Sequence, residues 1–97
     1  MSYFLGETIT LRTTFQMSGT YVKPNIVTLY LEPPSRVEYV HNYTPTGTVV
    51  MDATGMFSKV QFLNEWGQWW YRWFGTGTYF GTDEGYFMVE NSPFGGV

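Results

Sequence analysis

Apolar and polar side chains alternate along most of the chain, which is the period of a β-strand with one buried face. Between Thr8 and Phe15 the apolar positions include Ile9 and Leu11, while Arg12 points to the other side. No window keeps a helical period over several turns. β-Branched and aromatic residues, which suit a pleated and half-buried surface, dominate the alternating segments. The pattern therefore predicts an all-β protein.

Turn residues divide the chain into short segments of this kind. A turn is predicted at 17–20, and Pro33-Pro34 must end a strand because proline cannot donate to a ladder. The glycines at 75–77 and 81–85 are predicted to bracket a hairpin loop. About seven to eight short strands result, which is typical of an antiparallel β-sandwich, with an open barrel as the alternative. The main strands are predicted at 8–15, 25–31, 36–40, 48–52, 56–62, 68–74 and 86–89.

Aromatic side chains occupy both faces of the strand that contains three of the four tryptophans. Trp69, Tyr71 and Trp73 are predicted to face the core. Trp70 and Phe74 then point the other way, so the outward face is apolar as well. Because an exposed apolar face usually marks a contact, we expect a partner, a loop or the chain's own tail to cover it. The protein-interface residues predicted from the sequence are Trp66, Trp70, Phe74, Tyr79, Phe80 and Phe94.

The length of 97 residues leaves room for one hydrophobic core. We therefore predict a single β-sandwich domain at 1–91 and a C-terminal tail at 92–97. The tail carries Phe94 between a proline and two glycines. Two interpretations of it stay open, a docking arm and a frayed terminus.

The composition excludes several classes of site. There is no cysteine and one histidine, His41, which excludes disulfides, thiolate metal sites and multi-histidine zinc sites. The net charge of −3 argues against a nucleic-acid partner. Aromatic residues make up 21% of the chain, enough to anchor a core without disulfides. No cofactor and no metal are predicted.

No acid, base and nucleophile can be assembled with stated roles, so the sequence predicts a protein that is not an enzyme. Asp83 and Glu84 are adjacent, and on an extended chain their carboxylates point to opposite sides rather than across one cleft. His41 is the candidate base, but no nucleophile elbow accompanies it. The glycine-rich stretch at 75–82 lacks the lysine and the helix of a phosphate-binding loop.

The start of the chain carries no basic region and no apolar run of the kind that an export signal needs. No segment approaches the roughly 20 apolar residues of a membrane span. We expect the protein to be made and retained in a cytoplasm, or to leave it as part of an assembly, with no membrane partner.

Short motifs along most of the chain resemble a known set of proteins. One of them is Gly67-x-Trp69-x-Tyr71-Arg72-Trp73-x-Gly75, and others lie at 6–15, 27–35, 52–57 and 85–89. Together they are similar to small immunoglobulin-like β-sandwich proteins encoded by tailed bacteriophages and prophages. Within them, Asp52-x-x-Gly55-x-Phe57 resembles the corner that precedes the F strand, with Phe57 where the family usually has Tyr.

The resemblance implies an immunoglobulin-like sandwich and a non-enzymatic structural role in the virion. It implies an accessory or decoration protein of the capsid or the head–tail region, assembled in the host cytoplasm. The expected partners are other virion proteins, namely capsid or connector subunits. No catalytic residues come with the resemblance.

A second function class stays open beside this one. Exposed aromatic rings can stack on sugar faces. The alternative is therefore a carbohydrate- or cell-surface-binding module that holds a host-surface glycan through its outward rings.

Overall fold

The computed structural model describes residues 2–91, and in this range it contains strands and turns but no helix. The prediction of an all-β protein is confirmed. The strands are β1 (Ser2–Phe4), β2 (Thr8–Thr14), β3 (Gln16–Met17), β4 (Thr20–Tyr21), β5 (Ile26–Glu32), β6 (Tyr39–Asn42), β7 (Val49–Ala53), β8 (Met56–Phe62), β9 (Gly67–Thr76) and β10 (Gly81–Glu90).

The strands form two main sheets and one small hairpin. The five-stranded sheet has the order β1-β10-β9-β5-β6, and the three-stranded sheet has the order β2-β8-β7. Strands β3 and β4 pair with each other. All pairs are antiparallel except β1 with β10, so the prediction of a wholly antiparallel fold is wrong at that pair. The predicted strand number is not confirmed, since ten strands are described.

The core lies between inward-facing side chains that come from both sheets. Strand β2 alternates strictly, with Ile9, Leu11 and Thr13 buried. From the other sheet, Trp69 and Trp73 of β9 join the same buried cluster. The alternation predicted from the sequence is thus confirmed for these two strands, and the arrangement is compatible with a β-sandwich. The buried hydrophobic residues are Ile9, Leu11, Phe15, Val27, Leu29, Leu31, Val49, Phe57, Leu63, Trp69, Trp73, Phe87 and Val89.

The turn predicted at 17–20 is confirmed. Ser18 and Gly19 have φ angles of 51° and 80°, and they join the paired residues Met17 and Thr20. Two successive positive φ angles are the signature of the tight hairpin turn whose twist matches that of its strands.

The hairpin predicted around residues 75–85 is confirmed, but its strands extend into the glycine segments that were predicted to lie outside them. Gly75 pairs directly with Gly81, so the β9–β10 connection comprises only residues 77–80. A Cβ atom on either glycine would lie 2.7 Å from the ring of Phe15. These glycines are therefore packing positions that admit a core ring, and they do not mark a turn.

The corner predicted at 52–57 is also misplaced. Ala53 and Met56 are paired, so this segment is a turn between neighbouring strands of one sheet. The chain instead crosses to the other sheet between β8 and β9. There the indole Nε1 of Trp69 donates a 2.9 Å hydrogen bond to the carbonyl oxygen of Glu65, which fixes the crossing.

The strand predicted at 36–40 begins later, at Tyr39. A tight turn occupies the preceding residues, because the Arg36 amide donates a 2.8 Å hydrogen bond to the carbonyl oxygen of Pro33. Arg36 itself has a φ of 65°, which is outside the strand region.

Candidate functional site

The outward side of the five-stranded sheet, which we call the outer face, carries the strongest concentration of exposed aromatic groups. Trp70 on β9 is paired with Tyr86 on β10, so both side chains leave the sheet on the same side. Their ring centroids are 5.2 Å apart. Trp70 is 42% exposed and Tyr86 is 59% exposed. The register and the alternation of the strands place other exposed apolar residues on the same side of the sheet, namely Phe4, Ile26, Val40 and Met88.

An open depression of about 820 Å³ lies on the outer face between β5, β9 and β10. Its lining combines rings with charged groups, which is a mixture typical of recognition sites. The lining side chains include Tyr30, Glu32, Arg36, Glu38, Trp70, Arg72, Glu84 and Tyr86.

The charges around the depression are arranged in pairs. Arg36 Nε lies 2.7 Å from the Glu32 carboxylate, and Arg72 Nε lies 3.5 Å from the Glu84 carboxylate. The Arg72 guanidinium also lies 5.4 Å from the centroid of the Phe74 ring. Because exposed pairs contribute little to stability, these groups remain available to a binding partner.

The five predicted interface residues that the structure describes lie at separate places along and beside β9. Trp70 and Phe74 lie on the outer face, about 13 Å apart along β9. Trp66 precedes β9 and Phe80 is the last residue of the loop at its other end, and the ten-residue strand between them spans about 33 Å. Trp66 is 61% exposed and Phe80 is 77% exposed.

The two remaining predictions concern the β9–β10 loop and the tail. Tyr79 lies in that loop and is half-buried. Phe94 and the rest of the predicted tail at 92–97 lie outside the described residues. Tyr79 is not among the residues that line the depression on the outer face.

Sequence reasoning missed Tyr86 and Met88 as members of the outer face. Their partners in alternation, Phe87 and Val89, are buried in the core. That alternation was the signal, because a strand with two buried apolar residues must present the residues between them to the opposite side. Tyr30, which also lines the depression, was missed for the same reason on β5.

A second, smaller cavity of about 230 Å³ lies beside β6, and His41, Gln61 and Asn64 line it together with Tyr39, Leu31 and Trp69. Lys59 lies next to it and is only 7% exposed. Its Nζ donates hydrogen bonds to the Val60 carbonyl oxygen at 3.1 Å and to Gln61 Oε1 at 2.7 Å.

Burial lowers the pKa values of both basic residues in this region, His41 and Lys59. Desolvation lowers the pKa of Lys59. Desolvation also lowers the pKa of His41, and the nearby Lys59 charge lowers it further. Both shifts disfavour the protonated forms, since burial penalises a charged group, and at His41 repulsion by the Lys59 charge adds to this effect.

The adjacent acidic residues Asp83 and Glu84 on β10 point to opposite faces of the five-stranded sheet. Glu84 faces Arg72 on the outer face, whereas Asp83 accepts a 3.3 Å hydrogen bond from the hydroxyl of the buried Thr13. Their carboxylates therefore do not face each other. Among residues 2–91, no group of three His, Asp or Glu side chains is placed to hold a metal ion.

In the described part of the chain, no helix is long and apolar enough to cross a membrane. No protein-family model matches the sequence, and comparison with curated proteins finds no match.

Proposed function

We propose that this protein is a non-enzymatic structural protein of a bacteriophage virion, built as an immunoglobulin-like β-sandwich. In this proposal it is an accessory or decoration protein of the capsid or the head–tail region, located in the virion and assembled in the host cytoplasm. Its partners are capsid or connector subunits. The observation that carries the proposal is the aromatic outer face of the five-stranded sheet.

The order of the strands supports the immunoglobulin-like part of the proposal. Immunoglobulin-like sandwiches place strands B, E and D in one sheet and strands C, F and G in the other, with C′ added in variable-type domains. Strands β2, β8 and β7 correspond to the first set, and β5, β6, β9 and β10 correspond to the second. The terminal parallel strand β1 then lies beside the G strand.

The chemistry of the outer face supports a contact with protein. Trp, Tyr, Met and Arg are enriched in protein interfaces, and all four occur here as Trp70, Tyr86, Met88 and Arg72. Trp70 and Tyr86 already contact each other, so they present a rigid apolar ridge that loses little entropy when a partner covers it. The arginine–glutamate pairs beside them form a polar rim.

The proposal is tested by mass spectrometry and cryo-electron microscopy of purified particles. We expect the protein at a fixed, symmetry-related copy number, with its outer face against a capsid or connector subunit. The double substitution Trp70→Ser and Tyr86→Ser should remove it from the particle without unfolding it, because both side chains are exposed.

The matched control is the double substitution Val60→Ser and Phe62→Ser, which removes two exposed apolar side chains from the three-stranded sheet. This variant should still assemble. Absence of the wild-type protein from the particle would contradict the virion role. Loss of assembly in the control alone would contradict the assignment of the contact to the outer face.

A second candidate function is glycan binding, and the depression beside Trp70 favours it. The Trp70–Tyr86 pair offers a stacking surface, and carboxylates and guanidinium groups around it can bond sugar hydroxyls. A titration of Trp fluorescence with a bacterial surface polysaccharide distinguishes this function. A signal that is lost in Trp70→Ala and kept in Trp66→Ala would support it, whereas flat titrations would count against it.

A further inference from the structure

Strand β2 has the longest open edge in the structure. Four strands lie at the edges of the two main sheets: β1 with three residues, β6 with four, β7 with five and β2 with seven. The β7 ladder is also irregular between Met51 and Ala53. The β2 ladder is regular from Thr8 to Thr14, and within residues 2–91 no strand pairs with its other edge.

This edge lacks the devices that usually prevent strand addition. Edge strands are normally protected by charged residues, prolines, bulges or short length. Residues 8–14 contain one charged side chain, Arg12, and neither a proline nor a bulge. The unpaired backbone groups along β2 therefore form a template onto which a further strand can be added.

We propose that a second copy of the chain adds its own β2 to this edge, antiparallel and centred on Leu11. The result is a two-fold symmetric dimer in which the two three-stranded sheets become one six-stranded sheet. This site is separate from the outer face and does not depend on the proposed virion function.

The residues of β2 are self-complementary in this register. Pairing centred on Leu11 uses all seven residues and places Thr8 opposite Thr14, and Thr10 opposite Arg12. The two arginines of the dimer are thus each opposite a threonine hydroxyl. A register centred on Arg12 would instead set the two guanidinium groups against each other, which is unfavourable.

The inner side of the strand supports the same partner. Ile9, Leu11 and Thr13 all face the core, and in a two-fold antiparallel pair they continue the same face of the joined sheet. In the dimer, the buried row of one β2 strand therefore continues the buried row of the other, and the exposed rows continue each other in the same way. A foreign strand would have to reproduce this alternation.

The experiment is a charge test of the register by sedimentation over a wide range of protein concentration. We expect the wild-type protein to dimerise with increasing concentration. In Thr10→Arg each dimer contains two Arg–Arg contacts, and its dissociation constant should rise by about tenfold. In Thr10→Glu the same positions form Glu–Arg contacts, and the constant should fall.

Two further variants complete the test. The double variant Thr10→Arg with Arg12→Glu should restore wild-type dimerisation, since opposite charges face each other again. Thr82→Arg, an exposed threonine on β10 of the other sheet, should leave dimerisation unchanged. Circular dichroism checks that every variant is folded. Hydrogen exchange at residues 8–14 should slow as the protein concentration increases.

Four results would overturn the inference. The first is a protein that stays monomeric at every concentration, including one whose residues 8–14 exchange slowly regardless of concentration. The second is a dimer in which Thr10→Arg and Thr10→Glu shift the dissociation constant in the same direction. The third is a dimer that Trp70→Ser abolishes, which would place self-association on the outer face. A monomer that another virion protein protects at residues 8–14 would assign the edge to a foreign strand and also overturn it.

Discussion

Two tryptophans of β9 are both fully buried, but their indole N–H groups differ in hydrogen bonding. Trp69 Nε1 donates to the carbonyl oxygen of Glu65. Trp73 Nε1 has no hydrogen-bond partner among the described residues. A buried donor without a partner carries a desolvation cost that a paired donor does not. Trp69 therefore combines packing with a bond that holds the crossing between the sheets, while Trp73 contributes through packing alone.

The two positions predict different effects of the same substitution. Trp69→Phe loses a hydrogen bond and leaves the Glu65 carbonyl oxygen unpaired, whereas Trp73→Phe removes a donor that was already unpaired. Both variants lose similar ring volume. We expect Trp69→Phe to lower the free energy of unfolding by about 1–2 kcal/mol more than Trp73→Phe. Urea unfolding monitored by circular dichroism measures the difference, and equal losses would contradict this account of Trp73.

His41 and Lys59 give a prediction about pH. The folded protein binds a proton at His41 less readily than the unfolded chain, whose histidine pKa is about 6.5. The unfolded chain thus holds more protons below that pH. The free energy of unfolding should therefore fall as the pH drops from about 6.5 through the lowered pKa of His41.

Substitution of Lys59 separates the two causes of this shift. Lys59→Met removes the neighbouring charge but keeps most of the burial, so the pKa of His41 should rise part of the way toward its ordinary value. NMR titration of the ring protons measures it without ambiguity, because the chain has one histidine. Lys23→Met is the control, since Lys23 lies over Tyr43 and is not a cause of the shift. An unchanged pKa in Lys59→Met would refute the coupling.

At the scale of elements, two hairpin turns contain glycines that share a backbone conformation but differ in the space available for a side chain. Gly19 and Gly55 have nearly equal φ angles of 80° and 78°. A Cβ atom on Gly19 would meet nothing within 4 Å, but on Gly55 it would lie 2.8 Å from the carbonyl oxygens of Phe15 and Val22. The β7–β8 turn is thus packed against the start of the β3–β4 hairpin, while the tip of that hairpin is free.

Alanine at these two glycines is expected to reveal that difference. Gly19→Ala should destabilise the protein by about 1 kcal/mol, the cost of a left-handed conformation for a residue with a Cβ. Gly55→Ala should cost about 1–3 kcal/mol more, because backbone atoms must also move. Thermal or urea unfolding of the two variants measures both values. A Gly55→Ala variant no less stable than Gly19→Ala would mean that the two hairpins are not held together at this point.

The strands that alternate most clearly could be predicted from the sequence nearly to their ends. Strand β2 buries one row of side chains, and that row produces its pattern. Strands β5 and β8 bury one row and, in addition, one polar residue of the other row, Thr28 and Ser58. The facing ends of β9 and β10 could not be placed, because Gly75 and Gly81 look like turn residues although they admit the ring of Phe15. Strand β1 could not be predicted from the sequence, because three residues are too few to show a period and their partner β10 lies at the far end of the chain.

At the scale of the whole molecule, the candidate site depends on register, and register is not visible in the sequence. Trp70 could be predicted to face outward, but its contact with Tyr86 arises only because β9 and β10 pair at that position. For the same reason the sequence grouped Trp66 with Phe80, although the full length of β9 separates them. The alternation in the sequence indicates which rings face outward. The register of the strands determines which of these rings lie next to each other.

The parallel pairing of β1 with β10 determines how the domain would respond to mechanical force. Ser2, Tyr3 and Phe4 run in the same direction as their partners on β10. A pull that draws residue 2 and residue 91 apart would slide these strands along each other, loading all of their hydrogen bonds in shear at the same moment. An antiparallel pair at the same place would open bond by bond, as a zipper does. Tension between residues 2 and 91 would therefore be resisted by all of the β1–β10 hydrogen bonds together.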